Sequence, residues 1–222
     1  MIDSRPVLVI GGNGLVGQKI MQLFPNHRKV IGTGLTRSGK NFVRLDICQK
    51  ENVDAVMDQL QPSCVVHCAN FSGGAKRCET EKEAATQFHF EATKYLTEAC
   101  RRSQSKFVFL STECVFDGKK EMVDEQDKLS PINHYGVCKA SSEEWIRANS
   151  KDYLIVRTMF VFGWQPETKT PNALMSTYFA FKKGQSLSTP TYRWGQPTYA
   201  GDLAQAVIEL IFNNRQGLYH AA

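Results

Sequence analysis

The stretch VLVIGGNGLVGQKIMQLF, residues 7–24, decides the fold class of this chain. Its first four residues are an apolar, strand-like run, and a helix-like pattern begins just after Gly14. Three glycines, Gly11, Gly14 and Gly17, have the spacing GxxGxxG across the junction. Glycines in such a turn permit a tight bend, let the backbone approach a ligand and allow close packing of helix on strand. The stretch therefore predicts the first strand, turn and helix of a doubly wound α/β domain.

The same turn predicts a site for the pyrophosphate of a dinucleotide cofactor. The first turn of a helix presents unpaired N–H groups and the positive end of the helix dipole, and both attract an anion. We expect the three glycines to contact the cofactor together with Leu15 and Val16, which open the helix. A plain strand-to-helix turn that binds nothing is the alternative interpretation.

Further apolar runs predict a parallel sheet. They are KVIGTG (29–34), NFVRLD (41–46), SCVVHCA (63–69), KFVFLST (106–112) and YLIVRTMFVFG (153–163). Continuous hydrophobicity is typical of parallel strands that helices cover on both faces. Helical spacing is found in VDAVMDQL (53–60), Glu79–Arg102, SEEWIRAN (142–149) and DLAQAVIELIFNN (202–214). The alternation predicts a Rossmann fold, a doubly wound parallel sheet.

The chain of 222 residues is predicted to form a single domain, residues 1–222. After Gly163 the alternation weakens, and residues 163–172 and 188–198 are rich in Pro, Gly and Thr. Long loops in a compact domain are usually functional. We expect the loops at about 160–202 to contribute to a small C-terminal substrate lobe, with Asp202 as the N-cap of the helix that follows.

Composition narrows the choice of partners. No apolar run is long enough for a membrane helix, and a net charge of +5 without a polybasic block argues against a nucleic-acid partner. The seven cysteines lack the spacing of a zinc site, so we expect no metal and reduced thiols in a cytoplasmic protein. A homodimer is left open.

The segment after the second predicted strand favours NADP(H) over NAD(H). An NAD site usually has Asp or Glu there for the ribose hydroxyls, whereas this chain has Thr36, Arg37 and, nearby, Lys40. A guanidinium can bind a 2′-phosphate through two hydrogen bonds. Asp46, after the third strand, is placed to contact the adenine amino group or to cap a helix, and Ala69, after the fourth, is a further predicted cofactor contact.

Residues suited to acid–base chemistry follow the KFVFLST run. Ser111 and Thr112 end that strand, at the edge of the sheet where α/β proteins bind ligands. Tyr135 and Lys139 are four residues apart, so they share one face of a helix. On their own, these two residues are more typical of an ordinary pair on a solvated helix.

The order of glycine-rich turn, Ser/Thr and Tyr-x-x-x-Lys resembles the extended short-chain dehydrogenase/reductase family. Five stretches resemble its dTDP-4-dehydrorhamnose reductase branch: LSTECVFDG (110–118), SPINHYGVCK (130–139), LIVRTMFVFG (154–163), GQPTYAGDLA (195–204) and GLYHAA (217–222). The resemblance implies an NADPH-dependent reductase of a nucleotide-activated 4-keto-6-deoxy sugar. Relatives in this branch continue with helices that cover the substrate, so the substrate lobe is expected to be truncated or abbreviated.

The resemblance also implies a role for each catalytic residue. Tyr135 would donate a proton to the substrate carbonyl oxygen, and Thr112 would hydrogen-bond that oxygen. Lys139 would hold the nicotinamide ribose and lower the pKa of the tyrosine, because a nearby cation favours the phenolate. Residues predicted to contact the substrate are Ser111, Glu113, Cys114, Phe160, Trp194 and Gln196, with Pro197 and Thr198 on the same rim.

Departures from the family pattern leave two other functions open. His89 stands where the family usually has the Asn of a proton relay, and it is either a relay group or a core histidine. Glu113, Cys114 and Phe160 replace an acid and two aromatic residues of the branch. Cys114 raises the alternative of an epimerase/reductase similar to GDP-fucose synthase. A nonenzymatic NADP-binding subunit, similar to the regulatory subunit of methionine adenosyltransferase, is the other alternative.

Overall fold

The computed structural model describes residues 4–36, 39–165, 171–188 and 195–222. Seven parallel strands form its sheet, in the order β3-β2-β1-β4-β5-β6-β7. They are β1 (Val7–Ile10), β2 (Val30–Gly34), β3 (Phe42–Arg44), β4 (Cys64–His67), β5 (Lys106–Thr112), β6 (Tyr153–Thr158) and β7 (Gly217–His220). The predicted Rossmann architecture is confirmed.

The α-helices in the described part of the chain are α1 (Leu15–Leu23), α2 (Lys50–Leu60), α3 (Gly74–Thr80), α4 (Lys82–Thr86), α5 (Ala92–Ser103), α6 (His134–Asn149), α7 (Ala173–Lys182) and α8 (Ala200–Phe212). A π-helical segment, Gln87–Glu91, joins α4 to α5, and a 3₁₀ turn, Glu113–Val115, follows β5. Of the helices described, none has the length and apolar character needed to cross a membrane.

Two apolar layers cover the sheet, one on each face. Alternate residues of β1 divide between them: Leu8 and Ile10 pack in the layer that holds α2 and α5, whereas Val7 and Val9 pack with α1 and α8. Burial on both faces explains why the strands are apolar throughout.

The order of the strands reverses between β1 and β4, because β2 and β3 lie on one side of β1 and all later strands lie on the other. In open α/β sheets a ligand binds in the crevice at the carboxyl ends of the strands beside such a reversal. The glycine-rich turn after β1 and the hydroxyl-bearing end of β5 both open onto this edge.

Several elements differ from the sequence expectations. Glu81, with φ −127° and ψ 59°, interrupts the single helix predicted over Glu79–Arg102. The strand predicted to reach Gly163 ends at Thr158, because Phe160 has a left-handed φ of 41°. Helix α7 and strand β7 are additional elements that the periodicity did not reveal.

Candidate active site

The glycine-rich turn is packed so closely that side chains would not fit. Gly11 has φ +79°, and a Cβ there would lie 2.7 Å from the Cα of Ala69. A Cβ on Gly17 would lie 2.3 Å from the carbonyl oxygen of Gly11. Gly14 is the N-cap of α1, and no side chain among the described residues caps that helix. The N–H groups of its first turn, which includes Leu15 and Val16, are therefore suited to a pyrophosphate.

A cleft of about 400 Å³ lies at the ends of β2 and β3. Its lining residues are Leu35, Arg44, Asp46, Asn52, Ala55 and Val56. One carboxylate oxygen of Asp46 accepts a 3.0 Å hydrogen bond from the N–H of Cys48, so Asp46 caps the following turn and also borders the cleft. Thr36 is exposed nearby, and Arg37 lies outside the described residues. Arg44 was not among the predicted site residues, although its place at the end of a strand was a usable signal.

Helix α6 presents Tyr135 and Lys139 in its first turns. The side chain of Asn133 caps the helix by accepting a 2.7 Å hydrogen bond from the N–H of Gly136. Lys139 is 3% exposed, and its Nζ donates a 2.8 Å hydrogen bond to the carbonyl oxygen of Leu110. Burial lowers the pKa of Lys139 to about 8, although the carboxylate of Glu143 acts in the opposite direction. The ammonium therefore lies beside β5, close to the carboxyl end of that strand.

The phenol of Tyr135 is partly buried beside the end of β5. Burial raises its pKa above the ordinary value, with smaller upward contributions from Cys114 and Glu113, whereas a hydrogen bond with Thr112 acts in the other direction. The expectation of a lowered pKa is therefore wrong: desolvation outweighs the attraction between the phenolate and the ammonium of Lys139, whose Nζ lies 6.0 Å from the centre of the tyrosine ring. Tyr135 carries its proton at neutral pH.

Thr112 forms hydrogen bonds with its neighbours in the 3₁₀ turn. Its hydroxyl donates a 2.6 Å hydrogen bond to Glu113 and accepts one of 3.2 Å from the N–H of Cys114. The Sγ of Cys114 lies 3.7 Å from the other carboxylate oxygen of Glu113. Burial, followed by the charge of Glu113, raises the pKa of Cys114, so the thiol stays protonated at neutral pH. Thr112, Glu113, Cys114 and Tyr135 thus form one polar cluster.

Ser111 does not belong to that cluster. It shares a sheet face with Phe107 and Phe109, because side chains alternate along a strand. Its hydroxyl is buried and donates a hydrogen bond to Glu143, a carboxylate that pairs with Arg157 at 2.6 Å. The structure thus contradicts the prediction that Ser111 contacts substrate, because its hydroxyl is used inside the core.

His89 lies on the π-helical segment, against the ring of Tyr135. Its ring centre is 5.0 Å from that of Tyr135, at an interplanar angle of 73°. The imidazole is 1% exposed, and its Nε2 has no hydrogen-bond partner in the described part of the chain. Burial, followed by the charge of Lys139, lowers the pKa of His89 to about 2, so the ring is neutral. Single-turn π-helices occur often at functional sites.

The residues predicted to line the rim of the substrate site follow β6 in the chain. Phe160 is exposed and packs on Gly195, where a Cβ would lie 2.5 Å from its ring. Gln196 is exposed, and Thr198 donates its N–H to the carbonyl oxygen of Met159 at 3.2 Å. Pro197 lies between them, and Trp194 is outside the described residues. Asp202 is not an N-cap as predicted: α8 begins earlier, at Ala200, and Asp202 lies in its first turn.

Comparison with known proteins decides the family. The family model described as "RmlD substrate binding domain" matches residues 5–222. The chain belongs to the RmlD substrate binding domain family. It is therefore an extended short-chain dehydrogenase/reductase of the branch that the sequence resembles.

Relatives of this RmlD-family chain include proteins with different names. It is 28% identical to the dTDP-4-dehydrorhamnose reductase of Aggregatibacter actinomycetemcomitans, over 92% of this chain and 66% of the relative. It is 26% identical to methionine adenosyltransferase 2 subunit beta of Rattus norvegicus, over 94% of this chain and 63% of that protein. The chain thus spans about two thirds of the length of these relatives.

A solved structure has the same fold as this RmlD-family chain. The dTDP-4-dehydrorhamnose reductase of Bacillus anthracis str. Ames, solved in complex with NADP, superposes with a TM-score of 0.89 at 25% identity. The match covers 99% of this chain and 74% of the solved one.

Proposed function

We propose that this chain binds NADP(H) and reduces the keto group of a nucleotide-activated 4-keto-6-deoxy sugar. The observation that carries the proposal is the convergence of Thr112, Tyr135 and Lys139 at the carboxyl end of β5, on the sheet edge where β1 ends in the glycine-rich turn. Relatives named dTDP-4-dehydrorhamnose reductase, one of them solved with NADP, support both the cofactor and the substrate class.

The cofactor fits the residues that surround this edge. The pyrophosphate would lie against Gly11, Gly14 and the first turn of α1, where a Cβ would fill the space that the glycines leave. Asp46 and Ala69 would border the adenosine half, and the ammonium of Lys139 would hold the nicotinamide ribose. When bound, NADPH supplies a hydride.

The side chains supply the proton and position the substrate. Because its pKa is raised, Tyr135 is protonated at neutral pH and would donate that proton to the carbonyl oxygen. Thr112 would hydrogen-bond the same oxygen by turning its hydroxyl away from Glu113. Lys139, with a pKa of about 8, is mostly charged at neutral pH and stabilises the phenolate that remains.

On the substrate side, Glu113, Cys114, Phe160, Trp194 and Gln196 would contact the sugar. Support comes from the packing of the segment at Gly195 on the residues that follow β6, which pairs with β5. The loops at about 160–202 would form the substrate lobe of a single domain. All seven cysteines are free, which suits a cytoplasmic protein, and a homodimer stays a prediction that light scattering would test.

A second candidate function is that of a nonenzymatic NADP-binding subunit. The relative named methionine adenosyltransferase 2 subunit beta supports it. Glu113 supports it too, because its carboxylate accepts the hydrogen bond that the Thr112 hydroxyl would have to donate to a substrate carbonyl. An epimerase similar to GDP-fucose synthase is less favoured, because Cys114 would have to act as a base and its pKa is raised.

The experiment that separates these functions is NADPH oxidation against a panel of dTDP- and GDP-linked 4-keto-6-deoxy sugars. The reductase proposal predicts turnover of at least one sugar. Binding of NADPH without turnover of any sugar, together with co-purification of a larger enzyme subunit, would favour the nonenzymatic function.

A further inference from the structure

The cleft at the ends of β2 and β3 contains a cation that the proposed reaction does not use. Arg44 is the last residue of β3, and its side chain is exposed and borders the cleft. It forms no ion pair or side-chain hydrogen bond with any residue in the described ranges. A guanidinium without a partner in a concave site is available for an anionic ligand.

A row of contacts leads from the glycine-rich turn to this arginine. A Cβ on Gly34 would lie 3.2 Å from the side chain of Asn13, which belongs to the turn. Gly34 in turn is the register partner of Arg44 across β2 and β3, strands that are about 4.8 Å apart. A dinucleotide whose pyrophosphate lay against the turn would place its adenosine ribose along this row, because the ribose lies between the pyrophosphate and the adenine.

The charges around the cleft suit a phosphate better than a free ribose diol. The residues that follow Gly34 are Leu35 and Thr36, so no carboxylate stands at the end of β2 to accept bonds from ribose hydroxyls. The carboxylate that borders the cleft, Asp46, already accepts the N–H of Cys48 through one oxygen.

We propose that Arg44 binds the 2′-phosphate of NADP(H) and is a determinant of the preference for NADP(H) over NAD(H). This inference rests on the proposed function. It adds a contact at the end of β3 to those that the sequence predicts in the loop after β2, at Thr36 and Arg37 with Lys40 nearby.

The test is titration calorimetry of NADPH and NADH with the wild type, Arg44→Gln, Arg44→Lys and Arg37→Gln. Loss of one charge-assisted contact should weaken NADPH binding by about 10- to 100-fold in Arg44→Gln. NADH binding should change by less than about twofold, because NADH has no 2′-phosphate. Arg44→Lys should be intermediate, since a lysine keeps the charge but lacks the planar fork.

The matched control is Arg101→Gln, which removes the same charge from an exposed position on α5, away from the cleft. It should leave both affinities unchanged. Equal losses for NADPH and NADH in Arg44→Gln, or a selective loss in Arg37→Gln alone, would overturn the role of Arg44 and leave the reductase proposal intact. A wild type that binds neither nucleotide would overturn both.

Discussion

The hydroxyl of Thr112 donates a 2.6 Å hydrogen bond to the carboxylate of Glu113. The negative charge of this carboxylate lies near the proposed proton donor, Tyr135, and helps to raise the pKa of its phenol. The charge of Glu113 also adds to the rise that burial causes in the pKa of Cys114. Glu113 therefore favours the protonated forms of its neighbours, which is the form that a reductase needs in its acid.

Replacing Glu113 with Gln should shift the pH dependence of sugar reduction. The amide still accepts the Thr112 hydroxyl but carries no charge, so the pKa of Tyr135 falls. Because reduction uses the protonated phenol, the loss of kcat at alkaline pH should begin at a lower pH than in the wild type. The measurement is kcat against pH with the best sugar of the panel. An unchanged alkaline limb would show that Glu113 does not act on the proton donor.

Lys139→Met should make the protein more stable at neutral pH while impairing cofactor binding. Burial lowers the pKa of Lys139 from 10.5 to about 8, so the unfolded chain binds more protons between these values and stability rises with pH. Below pH 8 the buried charge costs about 1–3 kcal/mol, and methionine removes that cost. Urea titrations at neutral pH and near pH 10 measure the free energy of unfolding of the variant and the wild type at each pH. Calorimetric titration with NADPH measures the loss of cofactor affinity. A variant less stable than the wild type at neutral pH would contradict this prediction.

His89→Asn should reduce the loss of stability in acid. The pKa of His89 is lowered to about 2, so this group contributes stability that falls as the pH drops below 6.5, because only the unfolded chain takes up the proton there. Urea titrations between pH 4 and pH 7 should give a shallower pH dependence than in the wild type. His27→Asn is the control, since His27 is exposed. Equal slopes for wild type and His89→Asn would contradict the buried neutral imidazole.

Ser111→Ala and Thr112→Ala should affect different properties. Ser111 donates to the buried Glu143, so its loss should cost about 1–2 kcal/mol of unfolding free energy and leave KM and kcat nearly unchanged. Thr112→Ala should lower kcat about tenfold or more, because it removes a donor to the reacting oxygen. If Ser111→Ala reduced kcat as strongly as Thr112→Ala, both hydroxyls would face the substrate.

The parts of this structure that local patterns determine could be predicted from the sequence. The glycine-rich turn, the apolar strands and the pair of Tyr135 and Lys139 on one helix depend on spacing alone. The break at Glu81 and the left-handed Phe160 could not be predicted, because neither residue is one that usually interrupts an element. The direction of the Tyr135 pKa was also missed, since it depends on burial by residues distant in sequence.

The most direct test of the central claim compares wild type with Tyr135→Phe, using NADPH consumption with a dTDP-linked 4-keto-6-deoxy sugar. The proposal predicts an unchanged affinity for NADPH and a kcat lower by about 10²–10⁴, the range for loss of general acid catalysis. Calorimetric titration with NADPH serves as the folding and binding control. Wild-type turnover in Tyr135→Phe would contradict the role of Tyr135 as the proton donor.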